Sequence, residues 1–81
     1  MGKFRMSEDG LEARGDSLTE HKAYDAIKVD GNTYLAGSGF DVLRVEGSAQ
    51  KGREVTALPV TQEAELIRVM DVYKVTSFGL L

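Results

Sequence analysis

Eighty-one residues suffice for one domain with a single small core and leave no room for a separate catalytic lobe. Cysteine is absent, so neither disulfides nor a thiolate metal site can staple the fold, and stability must come from apolar packing or from a partner. The net charge of −3 is divided as +2 over residues 1 to 6, −4 over 7 to 25 and −1 over the rest, a pattern that offers neither the basic footprint of a nucleic-acid binder nor the dense acidity of a nucleic-acid mimic.

No apolar run approaches the ~20 residues of a membrane span, and the N-terminus lacks the apolar stretch of a signal peptide. The expectation is a soluble protein of a cytoplasm or a virion, its compartment otherwise open. Met1-Gly2 begins like a myristoylation signal, but Met6 stands where Ser or Thr is needed.

Residues 1–16, MGKFRMSEDGLEARGD, read by composition as an N-terminal arm, with a single β-rich domain over 17–81. Phe4 and Met6 alternate with Lys3 and Arg5. That suits a short strand, added either to a neighbour's sheet edge or to this chain's own sheet. Arg14-Gly15-Asp16 is the tripeptide that integrins recognise, a match short enough to arise by chance. Ser17-Leu18-Thr19-Glu20 fits a capping box, in which Ser17 and Glu20 satisfy one another's amides at the start of a brief helical turn.

The stretch from Ala26 to Glu46 reads as three short strands. Ile27 and Val29 flank Lys28 with the period of a half-buried strand. Asp30-Gly31-Asn32 then supplies residues that tolerate positive φ, as hairpin turns require. Asp30-Gly31 and Gly31-Asn32 are both acceptable two-residue loops, so the register stays open. Thr33, Tyr34 and Leu35 return as the partner strand, and Gly37-Ser38-Gly39 interrupts it. In the next strand Phe40 and Val42 share one face and Leu43 and Val45 the other, which implies a bulge or a strand covered on both faces.

Gly47 to Gly52 reads as an exposed loop. Arg53 to Val60 forms a fourth strand, with Pro59 at its end or at a sheet edge. Thr61 to Val75 carries helix and strand signals together. Thr61 suits an N-cap, and Leu66, Ile67, Met70 and Tyr73 make a stripe, whereas Ile67, Val69, Val72, Tyr73 and Val75 are good strand formers. The expectation is a short helix from about Gln62 to Asp71 and a final strand from Val72 to about Phe78. Altogether the pattern predicts a β-rich fold, a mainly antiparallel small sheet or barrel with one short C-terminal helix, α+β or all-β.

Candidate chemistry is sparse. His21 is the only histidine, and between Glu20 and Lys22 it reads as a surface residue. Without a second His or any Cys, a zinc site is not expected. Asp30-Gly31-Asn32 starts like a calcium loop, but Tyr34 and Leu35 occupy places that need an oxygen ligand and a glycine. Gly37-Ser38-Gly39 lacks the third glycine of a dinucleotide loop, where Val42 stands, and the spacing of a nucleophile elbow. Asp25, Asp41 and Glu46 read as solvated strand residues rather than as an acid–base pair.

The sequence therefore predicts a non-enzymatic structural or interaction protein with no cofactor and no metal. It would be a small subunit of a larger symmetric assembly, such as a virion decoration or cement protein, contacting other protein chains through its ends. The partner-binding residues expected are Phe4, Met6 and Leu11 at one end and Phe78, Leu80 and Leu81 at the other, with no membrane and no nucleic acid. Two other readings stand beside it. One is a small regulatory binder or inhibitor of a cellular protein. The other is a single-stranded nucleic-acid-binding barrel that stacks bases on Tyr34, Phe40 and Tyr73 near Arg44 or Arg53.

Overall fold

The computed structural model describes residues 2–15, 23–37 and 42–79. Among these residues six antiparallel strands run in chain order: β1 (Gly2–Met6), β2 (Glu12–Gly15), β3 (Ala23–Val29), β4 (Asn32–Ala36), β5 (Val42–Val45) and β6 (Glu54–Pro59). One helix, α1 (Glu63–Gly79), follows them. Each strand pairs with its sequence neighbours, and β1 pairs with β6 through Gly2↔Ala57, Phe4↔Val55 and Arg5↔Glu54, closing the sheet into a barrel. The β-rich expectation with a C-terminal helix thus holds, and its barrel form is the one adopted.

The arm expected over residues 1–16 is corrected for its described part, residues 2–15, which belongs to the barrel wall. Residues 2–15 supply β1 and β2, with Phe4 and Met6 pointing inward and buried. The alternation of Phe4 and Met6 with Lys3 and Arg5 is thus satisfied within the chain itself.

Six strands enclose less space than the eight that side chains comfortably fill. The interior answers by setting large residues against small ones across the ladders: Phe4 opposite Gly15, Met6 and Tyr24 opposite Ala13, Leu35 opposite Ala26, and Val45 opposite Ala57. Phe4 and Tyr24 meet edge to face, with ring centroids 5.5 Å apart and planes at 89°. Tyr24 also lies over Gly37, where a Cβ would come within 2.8 Å of its Cδ1. The core is continuous through Phe4, Met6, Ala13, Tyr24, Leu35, Val45, Val55 and Ala57.

A second apolar cluster lies outside the barrel. Val29, Tyr34 and Val42 point outward from β3, β4 and β5, and Val69 of α1, fully buried, packs on them with Leu66, Met70 and Val72. This explains the change of parity in the fifth strand without a bulge. Leu43 and Val45 face the barrel interior while Val42 faces the helix, so β5 is covered on both sides.

The expected break at Asp71 does not occur. Val72 to Phe78 continues α1 and makes no final strand. Burial of Val69 and Val72 against the sheet outweighs the small helix propensity deficit of valine. The helix residues packed on the sheet are Leu66, Val69, Met70 and Val72, with Ile67 turned outward.

Candidate functional site

Between β1 and β2, the chain turns around Ser7. Its amide donates to the Glu12 carbonyl at 2.9 Å, its hydroxyl accepts from the Glu12 amide at 3.1 Å, and its carbonyl accepts from Gly10 at 3.0 Å. The same hydroxyl donates to Asp9 Oδ1, which also accepts from the Leu11 amide at 3.0 Å. These bonds, the Ser7 hydroxyl foremost and then the Leu11 amide, hold the Asp9 carboxyl below its ordinary range. Ser7 is thus committed as donor and acceptor to its own turn.

This turn is docked on the connection between β5 and β6. Gly52 donates to the Ser7 carbonyl at 3.0 Å and Met6 to the Arg53 carbonyl at 2.9 Å. Gly52 has a φ of +70°, and a Cβ there would meet Glu8 Oε1 at 3.0 Å. Glycine meets both demands, a left-handed backbone and the approach of the Glu8 carboxylate.

The docked loops and the outer wall of β1 and β2 enclose an open cleft of about 290 Å³, lined by Arg5, Met6, Ser7, Glu8, Glu12, Arg14 and Gly52. Arg5 and Arg14 are register partners on the outward face of adjacent strands. Arg5 Nη1 donates to the Gly52 carbonyl at 3.3 Å. Neither guanidinium forms an ion pair among the described residues.

A second polar constellation fastens α1 to the barrel. Glu65 accepts from the Tyr34 hydroxyl at 2.6 Å and from Arg44 Nη1 at 2.9 and 3.1 Å. The bond from Tyr34, with help from Arg44, holds the Glu65 carboxyl below its ordinary value, and the same bond raises that of Tyr34. Arg68 reaches Asp30 at 3.5 Å, and the Tyr73 hydroxyl donates to Asp25 at 2.8 Å. These contacts join α1 to β3, β4, β5 and the β3–β4 turn, so the set serves as a latch.

The residues expected to bind partners are placed apart. Phe4 and Met6 are buried inside the barrel and unavailable to another chain, which corrects that assignment. Leu11 is 63% exposed at the end of the Ser7 turn. Phe78 falls in the last turn of α1, but its side chain, like Leu80 and Leu81, lies outside the described residues. Ile67 and Val75, 54% and 73% exposed on α1, are large apolar surface residues that were not among those expected to bind partners. Of the residues named in the nucleic-acid reading, Tyr34 lies buried beneath α1 and Arg44 is engaged by Glu65, whereas Phe40 lies outside the described residues. Ser17, Glu20, His21, Ser38 and Asp41 also lie outside them.

The arginine cleft had only a faint sequence signal. Arg5 and Arg14 lie nine positions apart, and nothing associates them until β1 and β2 are paired around Ser7, while composition places Ser7-Glu8-Asp9-Gly10 in an arm rather than in a hairpin turn. Among the described residues no group of three His, Cys, Asp or Glu side chains could hold a metal ion. No family model matches this chain, and neither a curated protein nor a solved structure matches it.

Proposed function

We propose that this chain is a non-enzymatic interaction protein, a small subunit that packs against neighbouring protein chains through side chains on its outer surface. The observation that carries the reading is the outward display of Ile67 and Val75 on a helix whose other side is already docked on the barrel. Two turns separate them, so they share one stripe, with Asp71 between. The filled barrel interior supports the same reading, since a partner or ligand must then meet the outside.

Closure of the barrel changes the mode of contact from the one the sequence suggested. Among the described residues every strand is paired on both sides, so no edge is open for strand addition. Contacts then come from side chains, and the symmetric assembly expected from the sequence, such as a virion decoration lattice, is the form of this reading in which the neighbours are copies of one another. Sedimentation velocity over rising protein concentration tests that form. Species heavier than the 8.8 kDa chain are expected for the wild type and are lost in the Ile67→Glu, Val75→Glu double variant. A chain that stays monomeric throughout, or a double variant that associates as the wild type does, would overturn it.

A further inference from the structure

We propose that Arg5 and Arg14 form a carboxylate-binding site in the cleft beside the Ser7 turn. The proposal concerns the cleft alone and stands whether or not the chain assembles with others.

The register places Arg5 directly opposite Arg14, and facing residues on an antiparallel pair have Cβ atoms about 4.5–5.5 Å apart. The two side chains are therefore neighbours of like charge; Arg5 also stands opposite Glu54 on β6, which pairs with Lys3 at 3.9 Å, and no acidic side chain among the described residues forms an ion pair with either arginine. An anion between them converts repulsion into two charge-assisted contacts. Guanidinium presents its N–H groups as a flat fork that matches the two oxygens of a carboxylate.

The site is partly ordered before any ligand arrives. Arg5 is held by the Gly52 carbonyl, and that carbonyl sits on a loop fixed by the Gly52–Ser7 and Met6–Arg53 hydrogen bonds. Side-chain ordering that is already in place does not have to be supplied on binding. Ser7 adds no free donor, because its hydroxyl is spent on Asp9 and Glu12. Recognition therefore falls to the two arginines.

The remaining lining defines the class of anion. At about 290 Å³ the cleft is at the small end for a ligand pocket, suited to a carboxylate on a short carbon chain. Glu8 and Glu12 also line it. They oppose an ion of two or more charges, such as phosphate or sulfate, more strongly than a carboxylate with one. The ligand is either a free short carboxylic acid or the side chain of an Asp or Glu presented by another chain.

The test uses the whole chain with its arginine Nε–Hε signals followed by NMR, at constant ionic strength. Acetate, butyrate, a blocked peptide with a single Glu and sulfate are added in turn. Saturable shifts of both Arg5 and Arg14 with acetate or butyrate are expected if a free acid suffices. Saturation with the peptide alone assigns the site to side chains of a bound chain. In Arg14→Gln the shift of Arg5 should no longer saturate, and Arg14→Lys, which keeps the charge without the fork, should weaken binding about tenfold, or about 1.4 kcal/mol. Glu12→Gln, which leaves both arginines in place, should strengthen carboxylate binding. Shifts that grow linearly with every anion, tighter binding of sulfate than of carboxylates, or an Arg14→Gln variant that responds like the wild type would each overturn the proposal.

Discussion

Asp30 and Gly31 take φ values of +52° and +85°, the pair of left-handed conformations that a type I′ turn requires. The register Val29↔Asn32 and Ile27↔Tyr34 shows that these two residues form the loop. Sequence could not choose between this loop and Gly31-Asn32, because the alternative slides the strand by two positions. A two-residue slide leaves every side chain on its own face, so hydrophobic alternation is blind to it. A Cβ at Gly31 would meet no atom within 4 Å, which leaves backbone strain as the sole expected cost of a substitution. Gly31→Val should therefore lower stability by about 1–2 kcal/mol in chemical denaturation, and an unchanged midpoint would contradict the turn geometry.

The helix was visible in the sequence as far as Asp71, where Thr61, the acids Glu63 and Glu65, and the spacing of Leu66 and Met70 agree. Its continuation was hidden because Val72, Tyr73 and Val75 favour strands locally, and only the outward apolar patch of Val29, Tyr34 and Val42 reveals why a helix is needed there. What seats this helix is the contact of Tyr34 and Arg44 with Glu65. Tyr34→Phe removes one hydrogen bond to a carboxylate and should cost about 1–2 kcal/mol, read as a lower denaturation midpoint with the barrel intact.

The same latch sets a pH window. Glu65 has a folded value below its ordinary 4.5, so its contribution is complete above about pH 4.5 and is lost as pH falls through the folded value. Tyr34 is raised above its ordinary 10.0, by its bond to Glu65 and then by burial. Its contribution is complete below pH 10 and lost as pH rises through the folded value. Thermal melting against pH should show a plateau between these limits. Glu65→Gln should shallow the acid side and Tyr34→Phe the alkaline side; profiles that stay superimposable on the wild type would remove the latch from the account.

Closure of the barrel makes β1 and β2 indispensable. β1 fills both the gap between β2 and β6 and the interior position of Phe4 and Met6. Deleting residues 1–16 should abolish cooperative unfolding altogether, measured by circular dichroism on heating; a truncated chain that melts sharply would return the segment to the status of an arm. The polar composition of MGKFRMSEDGLEARGD concealed this role, because a narrow barrel asks only two inward side chains of β1 and accepts Ala13 and Gly15 from β2. The arginine cleft was concealed for the same reason, since it exists only once those strands are paired.

The seam between β1 and β6 also imposes an order in time. During synthesis β1 emerges first and its second neighbour last of all the strands, so one row of its amides and carbonyls waits unpaired while the intervening chain is made. In that interval the open row can be filled by β6 of another copy, giving a dimer in which each molecule lends its first strand to the other. Dilute refolding should favour the self-closed barrel, and crowded refolding the exchanged pair.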